Sequence, residues 1–203
     1  MNETATRARL LASASKLFGR KGFRGASVRE ITAAATANLG AVTYHFGSKA
    51  DLYAEVLDRL FDQLATRIEQ AASGDAAPTD RMRAVVAAVF GFFVQAPDVP
   101  RLIVHLLSLG TAPPEAILRH LRRILLAVEG VVQAGQARGD FRPVEPVLIA
   151  FSLMSQSVWF ALAGGTIGPV LFPGVDRDAL VRKIESHIAD VVARALNAGS
   201  VAP

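Results

Sequence analysis

Hydroxyl, amide, imidazole and ammonium side chains crowd into one short stretch, SVREITAAATANLGAVTYHFGSKADL, residues 27–52. Ser27, Tyr44, His45 and Lys49 carry donors suited to phosphate oxygens. Asn38, Leu39, Gly40 and Thr43 form a surface of small, amide and hydroxyl groups that could come close to base edges. Catalytic arrangements are missing by comparison. Histidines 45, 105, 120 and 187 lie far apart, with neither H-x-x-x-H nor H-E-x-x-H spacing. Leu106 stands where a nucleophile elbow around Ser108 would need its first glycine. There is no phosphate loop, no dinucleotide fingerprint and no cysteine, so thiolate metal sites, disulfides and cysteine nucleophiles are excluded. The sequence predicts no enzyme and no cofactor.

The donors need a scaffold, and the same stretch supplies it. Ser27 can cap a helix, and Glu30, three residues on, can reach back to the cap's N–H, which is a capping box. Val28, Ile31 and Ala35 then fall on one face. The pattern breaks at Thr36-Ala37, and Asn38 is a good N-cap for a second short helix. In that helix Val42 and Phe46 point inward, leaving Leu39, Gly40, Thr43 and Tyr44 outside. Ser48 and Asp51 repeat the cap-plus-carboxylate device at the start of a longer helix. Two capped helices around a tight break, with small residues on the outer face of the second, make a helix-turn-helix.

From the helix before Gly22 through Leu52, the stretch resembles the DNA-binding domain of the TetR family of transcriptional regulators. The densest match is Ile31, Ala35, Gly40, Val42 and the run Tyr44-His45-Phe46-Gly47-Ser48-Lys49. Two positions depart from the family pattern. Thr36 replaces the usual turn glycine, so the turn either avoids positive φ or is strained. Thr43 stands where many members carry tyrosine. The resemblance implies a homodimer held by the last two helices as a four-helix bundle. The alternative is that those helices bury against their own domain only.

Charge follows the same division. Residues 1–50 carry eight Lys/Arg and two acids, net +6, while the remainder carries 14 against 16, net −2. A basic first quarter joined to a near-neutral remainder is the electrostatic footprint of a nucleic-acid-binding domain. Apolar residues make up 51% and charged residues 20%, a globular composition. No apolar run follows the first charges, so no signal peptide is predicted and a cytoplasmic location is expected.

Taken in order, the pattern predicts an all-α chain of about nine helices. The first runs from Thr4 to Arg20, with Leu10, Ala14, Leu17 and Phe18 inward, Gly22 at its end and Phe23 folding back. The fourth runs from after Ser48 to about Ala72. Further helices are predicted over 81–95, 101–109, 115–137, 147–163 and 176–197, with a frayed tail over 198–203. The domains are expected at 1–52, a helix-turn-helix domain, and 53–203, a helical ligand-binding and dimerisation domain. Residues 147–163 are uncharged and nearly long enough for a membrane span. Ser152, Ser155, Gln156 and Ser157 at mid-segment favour a helix buried between protein layers instead.

These features predict a dimeric, ligand-responsive repressor on palindromic double-stranded DNA. Phosphates would meet Ser27, Tyr44, His45 and Lys49, and base edges Asn38, Leu39, Gly40 and Thr43. A small hydrophobic effector would enter among Phe90, Phe93, Leu106 and Trp159, with Gln95, His105 and Gln156 as polar anchors. Phe90, Phe92, Phe93 and Trp159 are first of all expected in the core. A constitutive DNA-binding dimer without a ligand is the alternative.

Overall fold

The computed structural model describes residues 3–108, 110 and 113–197. Their secondary structure is helical, apart from one isolated bridge between Phe141 and Asn197. Ten helices follow in order: α1 (Glu3–Gly25), α2 (Val28–Ala34), α3 (Ala41–Phe46), α4 (Lys49–Ala72), α5 (Pro78–Gln95), α6 (Asp98–Ser108), α7 (Glu115–Ala137), α8 (Pro146–Thr166), α9 (Gly168–Leu171) and α10 (Arg177–Leu196). The expected tail lies outside the described residues. The all-α expectation holds, with the short helix α9 added between the two helices expected over 147–163 and 176–197. Two prolines act as starters rather than breakers. Pro78 opens α5 and Pro100 lies in the first turn of α6, where a missing N–H costs no helical hydrogen bond.

The helices form two compact units, residues 1–61 with 98–117, and residues 62–97 with 118–203. A single cut after Leu52 does not describe this grouping, because α6 belongs with α1. The core of the first unit is built from Leu10, Ala14, Phe18, Ile31, Val42, Leu52 and Val56, and Leu102 of α6 joins it. Gly19 lets α6 come this close: a Cβ there would stand 2.7 Å from Asp98 Cβ. Gly22 bends the end of α1 at φ 68°, and the His105 ring packs beside it. Phe23 does fold back, against the rings of Phe18 and Tyr53.

In the second unit, α8 packs against α5 and α10. Val85, Val89, Phe90 and Phe93 fill its interior together with Leu153, Ile184, Ile188 and Val192. The apolar stripe of α10 is therefore spent within its own unit. Arg123 of α7 ties down the second half of α4. It forms a fork with Glu69 at 2.8 and 2.7 Å, and also donates to Asp62 at 2.6 Å and Thr66 at 3.2 Å. These bonds hold the Glu69 carboxyl below its usual range.

α8 is long and apolar enough to cross a bilayer by length and composition. However, Ile149, Ala150, Leu153 and Ser157 of α8 are buried within the helical unit. Ser157 is fully buried, and its Oγ has no hydrogen-bond partner among the described residues. A buried hydroxyl without a partner keeps its desolvation cost. Ser157→Ala should therefore stabilise the protein by about 1 kcal/mol. Thermal unfolding should show this as a Tm roughly 2–4 °C higher; a lower Tm would mean that the hydroxyl has a partner.

Candidate nucleic-acid interface

α2 is built on its cap. The Ser27 hydroxyl accepts from the Glu30 N–H at 3.2 Å, and Glu30 Oε2 accepts from the Ser27 N–H at 3.0 Å and its hydroxyl at 2.8 Å. Lys21 closes the other side of Glu30. Both Ser27 donors are thus engaged by Glu30 within the cap. Ser48 and Asp51 form the second predicted device, with the Asp51 N–H donating to Ser48 Oγ at 3.1 Å and the hydroxyl bonding the carboxylate at 2.6 Å.

The turn between α2 and α3 takes the strained option. Thr36 has φ 50°, and it is the only non-glycine with positive φ among the described residues. A β-branched side chain is rarely found there. The expected Asn38 cap is corrected. α3 starts at Ala41 behind Gly40 and has no side-chain cap, and Asn38 contributes its carbonyl to the Ala41 N–H.

Within this turn and helix, Val42 is buried and Phe46 packs against the core. Leu39 is 62% and Tyr44 74% exposed, with Asn38, Gly40 and Thr43 open beside them. One outward surface therefore gathers Asn38, Leu39, Gly40, Thr43 and Tyr44. Its outward aromatic and leucine have no role in the unit's core. His45 is half-buried between the rings of Tyr44 and Phe46, at 4.9 and 6.2 Å. Lys49 is half-buried, with Nζ 4.5 Å over the Phe23 ring.

The basic residues of the first unit divide into two groups. Arg7 pairs with Glu55, Lys21 with Glu30, and Arg9 donates to the Ala35 carbonyl at the end of α2. Exposed Lys16, Arg20, Arg24 and Arg29 have no acidic partner among the described residues. Arg29 lies in the first turn of α2. The charge count had included it, but no spacing rule had singled it out.

The expected effector residues are not gathered in one unit. Phe90 and Phe93 lie in the interior of the second unit. Gln95 is exposed and accepts from Arg67 at 3.0 Å. His105 and Leu106 belong to the first unit. Gln156 is half-buried. Trp159 is 67% exposed, which corrects the core expectation. Ile149, Leu153 and Ser157 set the buried face of α8, and a residue two positions beyond Ser157 points about 200° away from it.

A basic helical unit whose α3 faces outward, continuous in chain with a larger helical unit, defines a helix-turn-helix DNA-binding regulator. The family described as bacterial regulatory proteins, tetR family, matches residues 10–56, and a tetracyclin repressor-like C-terminal domain matches residues 78–192. The chain belongs to the TetR family of transcriptional regulators and is not an enzyme. It is 28% identical over 158 residues to the HTH-type transcriptional repressor NicS of Pseudomonas putida, covering 76% of this chain and 74% of that protein. It is 27% identical over 173 residues to the repressor KstR2 of Rhodococcus jostii, covering 79% of each. Its fold is similar to that of a tetR-family regulatory protein from Rhodococcus RHA1, with a TM-score of 0.76, 23% identity, and 95% of this chain and 97% of that chain covered.

The cap of α2 sets a pH dependence. The Lys21 ammonium, followed by the N–H and hydroxyl of Ser27, holds the Glu30 carboxyl down at about 2, against an ordinary 4.5. A depressed carboxyl contributes stability that is fully present above 4.5 and is lost as pH falls towards 2. Glu30→Gln should lower stability near neutral pH and flatten the acid limb across that window. Denaturant midpoints measured at several pH values check this.

Proposed function

We propose that the protein is a homodimeric repressor that binds a palindromic operator and is released by a small apolar effector. The observation that carries the dimer is the uncovered face of α8. Val147, Leu148, Phe151 and Trp159 lie outward at steps of one, three and eight residues, which keeps them on one side of the helix, and Phe151 is 66% exposed. A contiguous apolar face of this kind marks an interaction surface, and a two-fold partner offers the same face in return. α10 contributes less than the sequence suggested, because its apolar stripe is already buried.

A symmetric dimer presents two copies of α3, which suits a palindrome. Asn38, Leu39, Gly40 and Thr43 are the base-facing set, and the methyl-bearing Leu39 and Thr43 suit thymine methyl groups. Tyr44, His45, Lys49 and Arg29 are the phosphate-facing set. Repression is favoured over activation by extent of match: the relatives named as repressors align over three quarters of the chain. The activator FasR of Mycolicibacterium smegmatis aligns over 48%, at 35% identity. Effector response is supported by the regulator FadR of Bacillus subtilis, of similar fold and solved with stearoyl-CoA, at 15% identity and a TM-score of 0.70. As a DNA-binding regulator with bacterial relatives, the protein would act in the cytoplasm. The constitutive dimer gains from one observation, the closed packing of Phe90 and Phe93.

Lys49→Ala should weaken binding to all DNA sequences alike and make the salt slope shallower by about one unit. Titrations at several salt concentrations read both, and an unchanged slope would remove Lys49 from the phosphate set.

Phe151→Arg should give a folded monomer with lost operator affinity, because its side chain is exposed within the single chain. Ile188→Glu should unfold the protein, because Ile188 is 0% exposed in the unit's own core. Light scattering and circular dichroism separate the two outcomes. A folded Phe151→Arg dimer would place the interface elsewhere.

A further inference from the structure

We propose that Arg9 of α1 is a positioning residue for sequence recognition, holding the turn between α2 and α3 in the left-handed bend that aims the base-facing residues. Resting on the assignment of that turn to DNA, this role concerns which sequences are bound rather than how tightly DNA is held in general.

The end of α2 needs a holder. The Thr36 N–H donates to the Ala33 carbonyl at 3.1 Å, and the Ala37 N–H donates to the Thr32 carbonyl at 2.9 Å. This pair of bonds closes a helix through one left-handed residue, a position that glycine takes without steric cost. Here Thr36 takes it, with φ 50°, and a β-branched side chain is strained there. Relief of that strain requires rotating the peptide that joins Ala35 to Thr36. Arg9 grips the oxygen of that peptide. Its Nε donates to the Ala35 carbonyl at 3.0 Å, and its Nη2 donates to the Thr6 hydroxyl at 3.1 Å, one turn back on α1. Thr6 and Ala35 are both buried, so the guanidinium spans two fixed points of the unit. A charged donor holds a carbonyl more firmly than a neutral one does.

Asn38, Leu39 and Gly40 follow Thr36 directly in the chain. Rotation at Thr36 would swing them, and α3 behind them, relative to α2. Arg9 is exposed and would otherwise pass for one more phosphate donor. The two roles differ in effect: a phosphate contact strengthens binding to every sequence, whereas the set of the turn decides how base edges are met.

A double-mutant cycle on the full-length protein tests this. The probes are a duplex selected by the protein from random-sequence DNA and an unselected duplex of the same length. Arg9→Gln should lose about tenfold affinity for the selected duplex. It should keep its affinity for the unselected duplex within about twofold, with an unchanged salt slope. Thr36→Gly keeps the bend without strain, so adding Arg9→Gln to Thr36→Gly should cost no more than about twofold on either duplex. Equal loss on both duplexes with a slope shallower by about one would make Arg9 a phosphate contact and overturn the proposal. An equal loss with and without Thr36→Gly, or no loss in either, would overturn it too. Circular dichroism checks each fold; if Arg9→Gln alone unfolds, the double variant compared with Thr36→Gly carries the test. Amide exchange at Ala37 reads the turn without DNA. Arg9→Gln should speed it about tenfold alone and leave it unchanged beside Thr36→Gly; an Ala37 amide indifferent to Arg9 would overturn the proposal. If selection yields no preferred duplex, the operator reading fails, and amide exchange alone decides the role of Arg9.

Discussion

A helix-turn-helix of some fifty residues has too much surface for its volume, and this shortage of buried area governs the architecture. Small units bury a smaller share of their chain than large ones. Here α1, α2, α3 and the first half of α4 enclose Leu10, Phe18, Ile31 and Leu52, and the enclosure is completed by Leu102 of α6. The two helices can meet because α1 offers Gly19, where any side chain would collide with Asp98. The DNA-facing unit therefore takes in a segment from the far side of α5. The chain passes between the two units at residues 61–62, 97–98 and 117–118.

Electrostatics separates scaffold from surface in that unit. Glu30 and Glu55 take up Lys21 and Arg7, which fixes helix ends and spacing. The uncommitted cations stay outside, where they raise local potential towards polyanions. Capping does similar work: Ser27, tempting as a phosphate donor, gives its hydrogen bonds to the start of α2. The strain at Thr36 is kept beside the surface that faces outward. Strain of this kind persists where the surrounding structure holds it in place.

The second unit distributes its apolar residues unevenly. α10 and α5 are covered, and Arg123 binds α7 to α4 through charge-assisted hydrogen bonds. α8 is apolar on nearly every side, yet only the face of Ile149, Leu153 and Ser157 is enclosed. The excess leaves Val147, Leu148, Phe151 and Trp159 outside the unit's own core.

The sequence by itself determined the local devices. The capping box at Ser27 and Glu30, the Ser48–Asp51 cap, the inward Val42, the outward Leu39 and Tyr44, and the bounds of α7 were all legible, because each depends on residues within a turn or two of one another. Tertiary structure alone decided the rest. It placed α6 with α1, turned Trp159 outward, buried the stripe of α10 at home, divided the expected effector residues between two units and started α3 at Ala41 without the Asn38 cap. Each of these depends on which face a neighbour covers. Periodicity shows that a helix has an apolar face but not what will cover it, and in α8, apolar all round, it cannot even show which face is turned inward.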